Sequence, residues 1–259
     1  MRIELGMCQL RPVMGSPETN ARKILEILEE GVADVYAFPE LYLTGYGSDC
    51  SEMESETERC VGMVSDACRS VDSAVALGTP WFEDGVMYNS MAFLSPDGDV
   101  VYHKSHLARF GVYSEEGFGQ GSEPVTGWFR GIGFGLCVCY DIFFPEILHG
   151  CSLNGASVNI CCAASAMQSK PFLDTVLPAR ALENVSYMVY MNNTGRFGDL
   201  VMHGCSRCLD PFGRTMSDCG TGECIRTATI DTENLAESRS IRHHLDDFRT
   251  DVQWLGKRF

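Results

Sequence analysis

Hydrophobic and polar positions alternate in two rhythms along the chain, one of period two and one near 3.6. Residues 2–10 (RIELGMCQL) predict an opening strand, and SPETNARKILEILEEG predicts a helix, with Ile24, Ile27 and Leu28 at helical spacing between Pro17 and Gly31. VADVYAFPE (32–40) reads as a buried strand ending near Pro39, and a helix is expected over 52–70, with Met63, Val64, Ala67 and Cys68 on one face. SAVALGTPWF is a third strand. MYNSMAFL and VVYHKSHL flank SPDGD, a Pro-Asp-Gly turn between apolar runs, and so predict a hairpin. GIGFGLCVCYD reads as a central strand, FFPEILHGCSLNGA as a helix and SVNICCA as the next strand. A helix over 171–186 leads into the strand YMVYMN, SRCLDPFGRTMSD forms a second hairpin, and GECIRTATID is the last strand. ENLAESRSIRHHLDDFRTD reads as a charged helix or an extended tail.

This alternation makes the expected fold class α/β, with mixed sheets and helices outside. No Pro/Ser-rich linker divides the chain, so residues 1–259 are expected to form one domain, with 232–259 as a C-terminal tail in oligomer contacts. Phe-Pro-Glu occurs at 38–40 and again at 144–146, a hint of related halves too short to establish a repeat.

Composition narrows the function classes. The chain has 259 residues, 45% hydrophobic and 21% charged, which suits a globular protein rather than a disordered one. No apolar run reaches the roughly 18–20 residues a membrane span needs, and MRIELGMCQLRPV lacks the layout of an export signal. A cytoplasmic protein is expected, without membrane association. The formal charge of −15 would repel nucleic acid phosphates. The odd count of 13 cysteines in a large chain points to reduced thiols rather than a disulfide framework. Cys205 and Cys208 have C-x-x-C spacing but lack a second such pair, so no metal site is expected.

The stretch GLCVCYDIFFPEI (135–147) raises the central chemical question, because Cys137 and Cys139 in it can be metal ligands, core thiols or a nucleophile. Cys139 falls where the strand gives way to a helix. Backbone N–H groups and the positive end of a helix dipole there are expected to lower its pKa and to stabilise an oxyanion. Cys137 is expected to point to the same side, one pleat deeper, as a small core residue. A thiol nucleophile needs a base, and none of the six histidines sits in a Cys-His protease context. Glu40, at the end of its strand, can meet Cys139 at a shared sheet edge. Lys104, in a strand with Tyr102 and His106 on the same alternation, would be a buried ammonium that demands a partner.

AFPELYLTGY (37–46), YHKSHL (102–107) and CYDIFFPEI (139–147) resemble, in order, the three signature regions of the nitrilase, or carbon–nitrogen hydrolase, superfamily. RALENVSYMVYMNNTG, SRCLDPFGR and HHLDDFRTDV are similar to further segments of that family, so the resemblance spans nearly the whole chain. It implies an αββα sandwich and a Glu-Lys-Cys triad, with no metal or cofactor. On it, Glu40 is the general base, Cys139 the nucleophile and Lys104 the cation facing the oxyanion, helped by the backbone N–H of Tyr140. Phe143 and Asn192 are placed beside the substrate. A second glutamate of the family corresponds to Glu115, with Glu116 as its rival.

Phe143 stands where several branches acting on dicarboxylate monoamides carry arginine, which resembles instead the N-carbamoylputrescine amidase-like and archaeal nitrilase-like members. The implied activity is hydrolysis of a small carboxamide or N-carbamoyl amine with release of ammonia. A nitrile substrate or a glutaminase-type ammonia donor is the alternative within the same chemistry, and a cysteine-based metal-binding or non-catalytic binding protein is the alternative outside it. The family also implies a homodimer or a larger homo-oligomer.

Overall fold

The computed structural model describes residues 1–109 and 114–249. The first part of the chain runs β1 (Arg2–Gln9), α1 (Pro17–Glu30), β2 (Val35–Ala37), α2 (Glu54–Val71), β3 (Ala74–Glu83), β4 (Val86–Leu94) and β5 (Val100–His103). The second runs β6 (Thr126–Phe129), β7 (Ile132–Val138), α3 (Pro145–Leu153), β8 (Ala156–Ala163), α4 (Lys170–Asn184) and β9 (Tyr187–Asn192). It continues through β10 (Thr194–Phe197), β11 (Leu200–His203), β12 (Arg207–Leu209), β13 (Thr215–Asp218), β14 (Cys224–Asp231) and α5 (Thr232–Ile241).

These strands build two six-stranded sheets, ordered β14-β1-β2-β3-β4-β5 and β13-β12-β9-β8-β7-β6, and a separate ribbon of β10 and β11. Strand alternation explains the layering. Val35 and Ala37 of β2, with Leu136 and Val138 of β7, face a core shared by the two sheets. Tyr36 points the other way, under Ile24, Leu28, Val64 and Cys68 of α1 and α2. Cys137 and Cys161 likewise pack under Leu148, Leu173 and Leu177 of α3 and α4. The order of layers is therefore helix, sheet, sheet, helix, an αββα sandwich. Each Leu or Phe buried in these layers contributes about 1.5–3 kcal/mol relative to exposure. No helix among the described residues is long and apolar enough to cross a membrane.

Several expectations change. The strand expected over 32–40 is only Val35–Ala37. Phe38 still donates its N–H to Ala76 O, but Pro39 has no N–H to give, and Leu41 turns the backbone at φ 49°. β5 stops at His103, so Lys104 sits at the strand end and His106 lies beyond it. The ribbon and β6 are not visible in the hydrophobic pattern. The tail is a helix through Ile241, and residues 250–259 of the expected oligomer segment lie outside the described residues.

Candidate active site

The first sheet supplies three charged groups. The turn after β2 carries Glu40, which is fully buried. This turn runs so close to β3 that a Cβ on Gly78 would lie 2.1 Å from Pro39 O and 2.7 Å from Glu40 Cα. Only glycine permits that approach. Lys104, 1% exposed, donates from Nζ to Oε1 of Glu40 at 2.9 Å and to Oε1 of Glu115 at 2.6 Å. Asn89 of β4 donates from Nδ2 to the same two oxygens, at 2.8 and 2.9 Å. Glu115 is fixed further by the N–H of Ala108, which donates to its Oε2 at 2.6 Å. One ammonium and one amide thus bracket two carboxylates. Oε2 of Glu40 is buried and has no hydrogen-bond partner among the described residues.

The second sheet supplies the thiol. β7 ends at Val138, and Cys139 opens a 3-10 turn over Cys139–Phe143 with φ 48°, in the left-handed region. A non-glycine residue held there carries about 1–3 kcal/mol of strain, which the surroundings must hold in place. Asp141, fully buried, does so: its carboxylate accepts from Tyr102 Oη at 2.8 Å, from the N–H of His106 at 2.7 Å and from the N–H of Val138 at 3.4 Å. His106 adds an Nδ1 contact to the same group at 2.9 Å and stacks flat on Phe144, centroids 3.6 Å apart. Cys139 Sγ lies 3.8 Å from Ser165 Oγ. Cys137 packs under α3 and α4, and Cys139, at the end of the strand, touches both that layer and the core between the sheets.

The electrostatics reverse one expectation. The Cys139 thiol is pushed well above its ordinary value, first by burial and then by the Glu40 charge, against the pull of Lys104. Those terms exceed the lowering expected from the turn. Burial also raises the Glu40 carboxyl, although Lys104 opposes it. Burial works against the Lys104 ammonium, yet Glu40, Cys139 and Glu115 together hold it well above its usual range. The arrangement is therefore a thiol near a buried carboxyl group whose second oxygen is open, beside an ammonium held by two acids.

Glu40, Lys104 and Glu115 are joined directly, and Cys139 is close enough to feel the charges of Glu40 and Lys104. Glu116 is exposed and takes no part in the cluster. Tyr140 and Phe143 begin an aromatic surface on the turn, with ring centroids 5.9 Å apart and Phe143 38% exposed. Asn192 lies behind the site: its amide donates to Ser165 O and Gly204 O, and its Oδ1 accepts the Ser165 N–H at 2.7 Å. It frames the Ser165 loop rather than lining the open face.

Asn89, Ser165, Asn193 and Tyr46 escaped the sequence reading. Asn193 donates to the Glu40 carbonyl at 3.0 Å. Tyr46 packs with Ala164, Ala166, Phe197 and Met202, and burial followed by the Glu40 and Cys139 charges raises its phenol, so the β10–β11 ribbon walls one side of the site. A lone asparagine inside the apolar run MYNSMAFL was the signal available for Asn89. Among the described residues, no group of three or more His, Cys, Asp or Glu side chains is arranged to hold a metal ion.

Comparisons with known proteins give the family and the fold. Residues 4–240 match the carbon-nitrogen hydrolase family. An (R)-stereoselective amidase of a Pseudomonas species is 31% identical over 256 residues, covering 96% of this chain and 92% of that protein. The 2-oxoglutaramate amidase of Bacillus subtilis is 31% identical over 260 residues, covering 97% of this chain and all (100%) of that one. The crystal structure of a CN-hydrolase superfamily protein from Xanthomonas campestris superposes with a TM-score of 0.86 at 22% identity, covering 98% of this chain and 99% of that one. With its αββα layers and a match that runs almost from end to end, this chain belongs to the carbon–nitrogen hydrolase family of the nitrilase superfamily.

Proposed function

We propose that this protein hydrolyses a small carboxamide or N-carbamoyl amine through a Cys139 thioester, releasing ammonia, with Glu40, Lys104 and Cys139 as its triad. The observation that carries the reading is Oε2 of Glu40, a buried carboxylate oxygen left without a partner while Oε1 is held twice. An oxygen buried without a donor is costly to keep, and it is free to accept a proton. Glu40 takes the proton of the Cys139 thiol as sulfur attacks the amide carbon. The raised thiol makes this coupling necessary, because little thiolate exists at rest. Lys104, with the backbone N–H of Tyr140, stabilises the oxyanion that forms. Glu40 returns the proton to the leaving nitrogen, ammonia departs, and Glu40 then deprotonates the water that cleaves the thioester. Glu115 holds Lys104 and shares Asn89 with Glu40, which keeps the ammonium in place as charge moves.

The half-exposed Phe143 beside Tyr140 offers ring surface where a cation would hold a second carboxylate. This favours amides whose far end is neutral or positively charged, in keeping with the formal charge of −15. The two amidase relatives support amide rather than nitrile hydrolysis. We also propose one domain over residues 1–259, a cytoplasmic location and at least a homodimer. An apolar groove of about 770 Å³ between α3, α4 and the tail, lined by His149, Leu153, Leu182 and Phe248, suits such contacts. An ammonia-release screen over amides, N-carbamoyl amines and nitriles, with mass analysis of the trapped acyl-enzyme, tests the proposal. Ammonia from an amide with the acyl mass on Cys139 is the expected result. An acyl mass on any other cysteine overturns the mechanism.

A further inference from the structure

The cysteines of this chain are all free thiols, and most are sealed in packed layers. Cys137 and Cys161 typify them: opposite each other across β7 and β8, wholly buried under α3 and α4. One corner of the molecule differs. Cys219 follows β13, Cys224 opens β14, and the turn Cys-Gly-Thr-Gly-Glu-Cys joins them. The Cys224 thiol donates to Cys219 O at 3.3 Å, which brings its sulfur against the backbone of the other cysteine. Cys219 is 8% exposed, whereas Cys224 keeps more surface in reach of solvent. Cys8 of β1 lies near both, completely buried.

The backbone fixes this juxtaposition. Gln9 donates from Nε2 to Gly220 O at 2.8 Å and to Gly222 O at 2.6 Å, and the Cys205 N–H donates to Gly220 O at 2.6 Å. Gly220, at φ 65°, makes the bend that brings the turn back on itself. The carbonyls of the turn are thereby held on Gln9 and Cys205, and the two sulfurs are kept together without any bond between them. Gln9 in turn accepts the Ser206 N–H at 2.8 Å, and Ser206 Oγ accepts the N–H of Asn192 at 2.9 Å. The corner is thus tied to the frame behind Cys139.

We infer that Cys219 and Cys224 form a dithiol modification site, separate from the triad, whose reactant is a small-molecule disulfide. Cys224, the more accessible sulfur, loses its proton to water and attacks one sulfur of the disulfide. Its S–S bond breaks, one thiolate leaves, and a mixed disulfide remains on Cys224. Cys219, deprotonated as it attacks, then displaces the second thiol from Cys224 Sγ and closes the intrachain disulfide. Two protein thiols are oxidised, the small disulfide is reduced to two thiols, and the two protons lost by Cys219 and Cys224 end, through solvent, on those two leaving thiolates. Burial raises the Cys219 thiol, which suits it to the second, intramolecular step rather than the first. Cys137 and Cys161 have the same proximity without the access, so they do not react.

The test treats the fully reduced, full-length protein with oxidised glutathione, quenches timed samples with iodoacetamide and maps the peptides by mass. The expected result is loss of two hydrogen atoms linking Cys219 to Cys224, with iodoacetamide labelling at both falling about tenfold. Cys137 and Cys161 stay unlinked, and dithiothreitol reverses the change. In Cys219→Ser the reaction halts with glutathione on Cys224. If Cys219 and Cys224 keep reacting with iodoacetamide while other cysteines oxidise, or if either pairs with Cys8, the inference fails. The wild-type time course decides the matter alone if Cys219→Ser does not fold.

Discussion

The two faces of the candidate site are held by opposite means. On the first sheet, Glu40, Lys104, Glu115 and Asn89 lock one another through direct bonds between side chains, all of them buried. On the second, Cys139 has no such charged partner bonded to it among the described residues; its place is set by a strained backbone that Asp141 clamps. The difference matches the work proposed for each side. A cation and a base act best when fixed before the substrate arrives, because preorganised charge needs no rearrangement during the reaction. A nucleophile must travel a bond's length and back, so a turn controls it better than a salt bridge would.

The largest effect is expected at the sulfur. Cys139→Ala should lower ammonia release by about four orders of magnitude or more, as removal of a nucleophile does. Cys137→Ala, in the layer under α3 and α4, should keep most of the activity and lose only stability. Steady-state assays with circular dichroism on both variants check this, and equal loss in two folded proteins would erase the distinction between the cysteines. On the opposite face, Glu40→Gln should cost about 10²–10⁴-fold in kcat, the usual worth of a general base. Glu115→Gln, which leaves the open oxygen of Glu40 intact, should cost less. Parity between the two would mean that the bracket works as one unit.

A smaller effect should follow from loosening the clamp. Asp141→Asn keeps the shape but weakens the bonds to Tyr102, His106 and Val138, and should remove about 1–3 kcal/mol of stability. If the clamp positions the thiol, kcat should fall while KM holds. A fall in stability with unchanged kcat would show the turn to be self-supporting.

The smallest effect concerns pH. His203 is buried beside Tyr190, and burial lowers its ring from 6.5 to about 4. The unfolded chain takes up that proton first, so stability is full above the ordinary value and falls as pH drops from 6.5 toward 4, by about 2 kcal/mol. His106 acts with the opposite sign: bonding to Asp141 raises its ring, so its contribution is present below 6.5 and is lost as pH rises through the higher value. Denaturant titrations of His203→Gln from pH 4 to 8 should show a flatter acid limb than wild type. An unchanged acid limb would mean that His203 charges in place.

The sequence carried the layers well, and the local geometry poorly. Apolar runs marked β2 and β7 as buried strands, and strand period then sets Tyr36 and Cys137 on the helix-facing side of their sheets. Motif order was enough to bring together Glu40, Lys104 and Cys139 from two sheets. The ribbon of β10 and β11 stayed hidden because two four-residue strands, the first with a glycine, hold too little pattern to register. The direction of the thiol shift was misread for a related reason. A turn's dipole can be read from neighbours in the chain, whereas burial and the Glu40 charge come from residues far away in it. Asn192 shows the same limit: its motif gives its place in the chain, but not that its amide would turn inward to Ser165 and Gly204.

The left-handed backbone at Cys139 bears on what selection for folding alone would do to this chain. At φ 48° the position is one that glycine occupies without penalty and every other residue occupies under protest. Replacing Cys139 with glycine should therefore leave the inactive protein melting at a higher temperature than the active one, through relief of about 1 kcal/mol. A lineage released from its chemistry would drift toward glycine there.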